Sequence, residues 1–153
     1  MKQLTYDSDL EKKHHADLLW SEKAGHISGV EYQYHWDLEI AGQAIFRYTV
    51  DFKFYSCQDK VIVCDECKGY FHEQDRIRFK AFVAHHNALG WKVRLQDHNK
   101  PGRPFFEVFV KNRKLKYYDP ADGKEKFWSF RMKKQRVVPA SQLDVKKAYR
   151  PYR

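Results

Sequence analysis

The sequence predicts a single α/β (α+β) domain in which a helix, three strands, a second helix and a fourth strand follow one another. Two observations support this fold class. Stretches rich in Val, Ile, Tyr, Phe and Trp recur at strand length between Gly and Pro punctuation. Two long stretches without Gly or Pro carry apolar residues at helical spacing. A chain of 153 residues with 42% hydrophobic content can bury the core of one domain.

The first helix is predicted from a capping box. Ser8 precedes Glu11 by three residues, and the helical pattern runs to about Ala24, where Gly25 ends it. Its buried side is expected to consist of Leu10, Leu18, Leu19 and Trp20. The second helix is predicted over residues 74–89, with a buried side formed by Ile77, Ala81, Phe82, Ala84 and Leu89.

Strands are predicted over residues 30–40, 44–55, 60–68 and 91–96, which complete a core spanning residues 9–96. A β-rich extension follows at residues 100–153, within the single domain 1–153. It contains a strand at 104–110, a hairpin whose arms are 114–119 and 125–132, and a short helix at 141–149.

Charge is unevenly distributed along the chain. The net charge is +9, yet residues 1–99 carry 13 Lys or Arg and 15 Asp or Glu, whereas residues 100–153 carry 16 and 5. A basic segment with interleaved aromatic rings suits a nucleic acid, because cations neutralise phosphates and rings stack on bases. Lys133 and Lys134 are candidate phosphate contacts within it. A solvated basic surface is the alternative interpretation.

The chain shows no apolar run of membrane-spanning length and no secretory signal near its first residues, so we expect a cytoplasmic protein. Its three cysteines are then expected to be free thiols. Cys64 and Cys67 form a C-x-x-C pattern, but in an extended strand their side chains point to opposite faces. The spacing therefore disfavours both a zinc site and a redox dithiol.

The segment VIVCDECKGY (61–70) also contains an acidic-x-Lys pattern, Glu66 and Lys68, at the end of an apolar strand. A hairpin turn centred between residues 57 and 58 would pair Asp51 with Cys64, diagonal to Glu66 on the same face. Two carboxylates and an ammonium would then converge, which suits Mg²⁺-assisted hydrolysis of a phosphodiester. An exposed charged face of an edge strand is the alternative, and the role of Asp65 stays open.

These residues resemble a known family. Glu11 on the first helix, Asp51 in YTVDF, and Glu66 with Lys68 in DECKGY are similar to the pattern of the PD-(D/E)XK nuclease superfamily. The likeness extends to small phage-encoded members of unassigned or junction-cleaving function through AGHIS (24–28), Gln33 and the basic start of the second helix. A looser likeness to short phage Holliday-junction resolvases rests on the acidic residue of the first helix and the Lys-Gly after the metal-binding acid. One departure is Val50, which stands where the family pattern has Pro.

The resemblance implies a restriction-endonuclease-like mixed sheet flanked by helices. It implies that Asp51, Glu66 and the backbone carbonyl of Cys67 bind Mg²⁺ or Mn²⁺, that Lys68 assists hydrolysis, and that Glu11 orients water or a second metal ion. The expected nucleic-acid contacts are Gln33, Arg76, Arg78, Lys80, Lys133 and Lys134. The alternatives are that Gln33 faces solvent and that Arg76 and Lys80 form a solvated helix face.

The implied function is a metal-dependent DNA endonuclease, encoded by a phage or prophage and selective for branched DNA. A resolvase would act as a homodimer. The alternative is a non-catalytic DNA-binding accessory protein that keeps the fold. The histidine pairs 14–15 and 85–86 have no acidic or cysteine partner at helical spacing, and we expect them on the surface.

Overall fold

The computed structural model describes residues 5–67, 71–97, 100 and 102–129. This part of the chain forms one mostly antiparallel seven-stranded sheet with a helix packed on each face, which confirms the mixed α and β class. The helices are α1 (Asp9–Lys23) and α2 (Glu73–Ala88). The strands are β1 (Ile27–Ile40), β2 (Gln43–Ser56), β3 (Val61–Glu66), β4 (Lys92–Gln96), β5 (Phe105–Lys111), β6 (Lys114–Tyr118) and β7 (Glu125–Phe127).

The strands lie side by side in chain order. Of the described pairs, β3–β4 is parallel and the other five are antiparallel. A parallel pair needs a crossover, and α2 provides it between β3 and β4. The predicted hairpin is confirmed, although its second arm, predicted over 125–132, is a strand only at Glu125–Phe127 among the described residues. The predicted helix at 141–149 lies outside the described residues.

Helix α1 begins as predicted, because the Ser8 hydroxyl accepts a hydrogen bond of 3.2 Å from the Glu11 amide. Its predicted apolar side is partly wrong. Leu18 is buried, but Leu19 and Trp20 are 46% and 70% exposed. The buried side is completed instead by Glu11 and His15, so this helix places a carboxylate and an imidazole against the sheet.

The predicted apolar side of α2 is also only partly correct, since Phe82 and Ala81 pack on the core but Ile77 does not. Phe79, Phe82, Val83 and His86 are buried, whereas Ile77 is 58% exposed. His86 lies in the core because its Nδ1 hydrogen-bonds the carbonyl oxygen of Phe82 at 2.7 Å. The surface position predicted for the histidine pairs is therefore wrong for His15 and His86.

Two apolar clusters fill the two faces of the sheet. The α2-side cluster includes Val50, Cys64, Phe79, Phe82 and Val93. The α1-side cluster consists of Leu18, Ile27, Phe52, Phe54, Val63 and Cys67. Cys64 and Cys67 thus point to opposite faces, as the strand periodicity predicted.

The register of the β2–β3 hairpin differs from the prediction by two residues. Phe52 pairs with Asp65 and Ser56 with Val61, so the connecting loop is residues 57–60. The Lys60 amide closes this loop by donating to the Ser56 carbonyl oxygen at 2.8 Å. Because strand side chains alternate with a period of two, a two-residue shift changes the partners but leaves each β3 residue on its expected face.

Within the described residues, neither helix is long and apolar enough to cross a membrane.

Candidate metal and phosphodiester site

In β1 and β2, the alternation of side chains between the two faces of the sheet reverses at Gln33 and Asp51. Tyr48 and Val50 belong to the α2-side cluster, yet Phe52 and Phe54 belong to the α1-side cluster. Regular alternation would keep all four on one face, so the alternation reverses at residue 51.

Strand β1 reverses at the same level. Trp36 and Tyr34 pack on the α2-side cluster, whereas Tyr32 and Val30 pack on the α1-side cluster. Between them Gln33 has a φ of 62°, in the left-handed region that a non-glycine residue seldom adopts. The paired irregularity turns Gln33 and Asp51 toward α1.

An open cavity of about 510 Å³ lies at this reversal, between the start of α1 and the strands. It brings together four of the predicted site residues, Glu11, Gln33, Asp51 and Cys67. The remaining wall is formed by Asp7, Ser8, His35 and Thr49. Glu66 is not among the described residues that line it.

Asp51 is buried and tied to the end of β3. Its Oδ2 accepts a hydrogen bond of 2.7 Å from the backbone N–H of Cys67. The backbone of Cys67 therefore lies directly beside the Asp51 carboxylate. The Cys67 thiol, unlike the Cys67 backbone, is a poor metal ligand. Burial and the Asp51 charge raise its pKa, which keeps the thiol protonated.

Glu11 reaches the same cavity from α1. Its Oε2 accepts hydrogen bonds from the Tyr32 hydroxyl at 3.0 Å and from the Asp7 amide at 3.4 Å. Burial and the negative charge of Asp51 raise the pKa of Glu11. Two like charges held in one cavity repel each other unless a cation lies between them.

Glu66 is fully buried and turns toward α2. The Tyr48 hydroxyl donates a hydrogen bond of 2.8 Å to its Oε2, and the Tyr48 ring packs against Phe79 and Phe82. Burial and the adjacent Glu66 carboxylate raise the pKa of Tyr48, so its hydroxyl remains a donor. The Glu66 carboxylate is thus bound by Tyr48 on the α2 side, and the predicted common face of Glu66 and Asp51 is not observed, since Glu66 is not among the described residues that line the cavity.

Asp65, whose role the sequence leaves open, organises a separate buried network. Arg94 forms two hydrogen bonds of 2.6 Å to its two carboxylate oxygens, and His14 Nε2 lies 2.8 Å from Oδ2. Burial alone would raise the pKa of Asp65, but the Arg94 guanidinium and these hydrogen bonds hold it below its usual value. Asp65 therefore joins α1 to β3 and β4.

The predicted basic residues of α2 do not reach the acidic cavity. Arg76 and Lys80 line a groove on the α2 side of the sheet, together with residues of β6 and β7. The guanidinium of Arg78 lies 5.8 Å from the centre of the Phe46 ring. Lys68, Lys133 and Lys134 lie outside the described residues, so their roles stay predictions.

The donor chemistry of the cavity fits a hard divalent cation. Glu11 and Asp51 provide carboxylate oxygens, the ligands that Mg²⁺ and Mn²⁺ prefer. Within the described ranges, no group of three or more His, Cys, Asp and Glu side chains is gathered closely enough to hold an ion. A complete ligand shell would need backbone oxygen, water or substrate oxygen as well.

Comparison of the chain with protein-family models, with curated proteins and with solved structures gives no match.

Sequence reasoning missed Tyr32 and Tyr48, which hold the two glutamates, and the pairing of His14 and Arg94 with Asp65. A tyrosine in a strand is predicted to pack in the core, and no local pattern indicates that its hydroxyl donates a hydrogen bond. The pair Asp65 and Arg94 had one available signal. Both residues lie at inward positions of strands predicted to be apolar, where an isolated charge is costly.

Proposed function

We propose that this protein is a metal-dependent DNA endonuclease of the PD-(D/E)XK type, with a restriction-endonuclease-like core. The observation that carries the proposal is the convergence of Glu11 and Asp51 on one cavity beside the backbone of Cys67. These residues come from a helix and two strands, and Lys68 follows Cys67 directly in the sequence. It would act in the cytoplasm of a bacterium that carries the phage or prophage.

Glu11 and Asp51 would hold Mg²⁺ or Mn²⁺, with the Cys67 carbonyl oxygen as a further ligand. The bound ion supplies charge neutralisation at the phosphate and a lower pKa for a bound water. The chain's own contribution is positioning. Tyr32 orients the Glu11 carboxylate, and the Cys67 amide fixes that of Asp51.

DNA is the proposed substrate because the chain carries a net charge of +9 and concentrates it beyond residue 99. Selectivity for branched DNA and action as a homodimer are the sharper form of the proposal. They rest on the resemblance to junction-resolving enzymes.

The burial of Glu66 favours a second candidate, a DNA-binding accessory protein without catalytic activity. A carboxylate that is fully buried against the Tyr48 hydroxyl is stabilised as a structural group. In this alternative Glu11 and Asp51 are remnants of a site, and the protein would bind DNA without cutting it.

Cleavage of end-labelled substrates separates the two candidates. The purified protein is incubated with a four-way junction, a flap and a linear duplex, each with Mg²⁺, with Mn²⁺ and with EDTA. We expect metal-dependent cutting that is lost in Asp51→Asn and in Lys68→Ala, while DNA binding persists. Asp37→Asn is the matched control, because Asp37 is an exposed acid of β1 paired with Arg47 outside the cavity.

Absence of cutting on every substrate with both metals would refute the endonuclease and leave the accessory protein. Equal cutting of linear duplex and junction would remove the branched-DNA form of the proposal. A monomer by light scattering at assay concentration would remove the homodimer.

A further inference from the structure

A cationic groove on the α2 side of the sheet lies on the face opposite the acidic cavity. It has a volume of about 480 Å³ and runs between α2 and strands β6 and β7. Among the described residues, four cations line it, Arg76, Lys80, Arg113 and Lys114, against one acidic residue, Glu73. We call it the α2–β7 groove.

Three of these cations are not neutralised by the fold. Within the described ranges, Lys80, Arg113 and Lys114 form no ion pair with an acidic side chain. The neighbouring lysines of the same hairpins are paired: Lys111 and Lys116 with Glu125, and Lys126 with Asp119 and Asp122. Among the described residues, the cations Lys80, Arg113 and Lys114 that line the groove thus have no acidic partner, whereas the lysines beside them are paired.

Aromatic rings accompany the cations. Phe127 lines the groove and is 59% exposed. The ammonium groups of Lys114 and Lys116 each lie 4.8 Å from the centre of its ring. Trp128 forms part of the floor, packed edge-on against Tyr117 with 5.4 Å between ring centres.

The groove is held by rigid elements. Lys80 Nζ donates a hydrogen bond of 2.7 Å to the Arg113 carbonyl oxygen, which ties α2 to the turn between β5 and β6. Asn112 and Arg113 both have positive φ, the conformation of a tight hairpin turn. The Arg113 side chain is therefore carried on a fixed turn.

We propose that the α2–β7 groove binds single-stranded DNA, and that it does so without a divalent metal. Cations spaced along a groove neutralise consecutive phosphates, and an exposed ring offers a stacking surface to a base. Residues 130–153 carry eight Lys or Arg and one Asp, so their sequence adds positive charge to the chain. This inference goes beyond the proposed cleavage and does not depend on it.

Fluorescence anisotropy in EDTA tests the groove directly. The probe is a fluorescein-labelled oligothymidylate of about 12 nucleotides, titrated with the full chain at several salt concentrations. We expect Phe127→Ala to weaken binding roughly 5- to 100-fold. Arg113→Ala and Lys114→Ala should each weaken binding and reduce the salt slope by about 0.7. Phe127→Tyr should retain wild-type affinity.

Lys12→Ala is the matched control, since it removes the same charge from an exposed position of α1 on the other face. Wild-type affinity in Phe127→Ala, or losses in the groove variants no larger than in Lys12→Ala, would overturn the proposal. Tighter binding of duplex with the same number of phosphates would also overturn it. Asp51→Asn should bind the oligonucleotide normally, so failure of cleavage and failure of the groove give different results.

Discussion

At the scale of single residues, holding the Glu11 and Asp51 carboxylates in one cavity lowers the free energy of unfolding by a measurable amount. Burial and the Asp51 charge raise the pKa of Glu11, so the folded state holds this proton more tightly than the unfolded chain does. Stability contributed by the protonated group is therefore lost as pH rises from the ordinary value of 4.5 through the raised folded pKa. A cation bound between the two carboxylates would offset their repulsion and remove this destabilisation.

Glu11→Gln should accordingly raise the melting temperature at neutral pH, and the gain should shrink below pH 4.5. Mg²⁺ should stabilise the wild type more than the variant. Thermal unfolding from acid to neutral pH, with and without Mg²⁺, measures both effects. Glu39→Gln, an exposed change at the end of β1, is the control, and an equal response in it would contradict the account.

Asp65 differs from Glu11 because the fold lowers its pKa instead of raising it. Asp65→Asn leaves the largely covered Arg94 guanidinium without its carboxylate and should cost about 3 kcal/mol of unfolding free energy. The wild-type contribution is present above pH 3.8 and is lost as pH falls through the lowered folded pKa of Asp65. Urea unfolding at neutral and acid pH measures it.

The double variant Asp65→Asn/Arg94→Met should recover part of this loss, because no charge is then left unpaired. A cost for Asp65→Asn below that of an exposed Asp37→Asn would contradict the structural role of the network.

At the scale of elements, the face reversal of β1 and β2 positions the site. Gln33 adopts a φ of 62°, so a β-branched side chain there is strained. Gln33→Val should destabilise the protein by about 1–2 kcal/mol, whereas Gln33→Gly should stay within about 0.5 kcal/mol of the wild type. Chemical denaturation of the two variants tests this, and equal stabilities would refute the left-handed conformation.

Element positions could be predicted from local signals. The Ser8 cap, the turn residues and the alternation of apolar residues located both helices and all seven strands to within a few residues. The buried sides of the helices could not be predicted as well, because His15 and His86 count as polar in any apolar pattern. Each is buried because a partner supplies a hydrogen bond, the Tyr6 hydroxyl at 2.7 Å for His15 and the Phe82 carbonyl for His86.

The site was predictable only in part, for a related reason. Glu11, Gln33, Asp51 and Cys67 line one cavity, whereas Glu66, which we expected beside Asp51, is not among the described residues that line it. The reversal at Gln33 has no local sequence signal, since glutamine rarely adopts a positive φ and is held there by the pairing of two strands. If side chains kept alternating from the β2–β3 hairpin onward, Asp51 would share the face of Glu66. Instead the Tyr48 hydroxyl binds the Glu66 carboxylate and Asp51 turns toward α1.

At the scale of the whole molecule, the sheet separates two surfaces of opposite charge. The acidic cavity lies on the α1 side and the α2–β7 groove on the α2 side. Under the two proposals together, one face would hold the metal and the scissile phosphate while the other would retain an unpaired strand. A branched substrate supplies both duplex and single strand.

The rate of junction cleavage as a function of Mn²⁺ concentration tests the central claim most directly, compared between the wild type and Asp51→Asn. We expect the rate to saturate with Mn²⁺ in the wild type and to fall roughly 100-fold or more in Asp51→Asn. Asp37→Asn should follow the wild-type curve. A wild type that cuts at no Mn²⁺ concentration, or an Asp51→Asn variant that cuts as fast as the wild type, would contradict it.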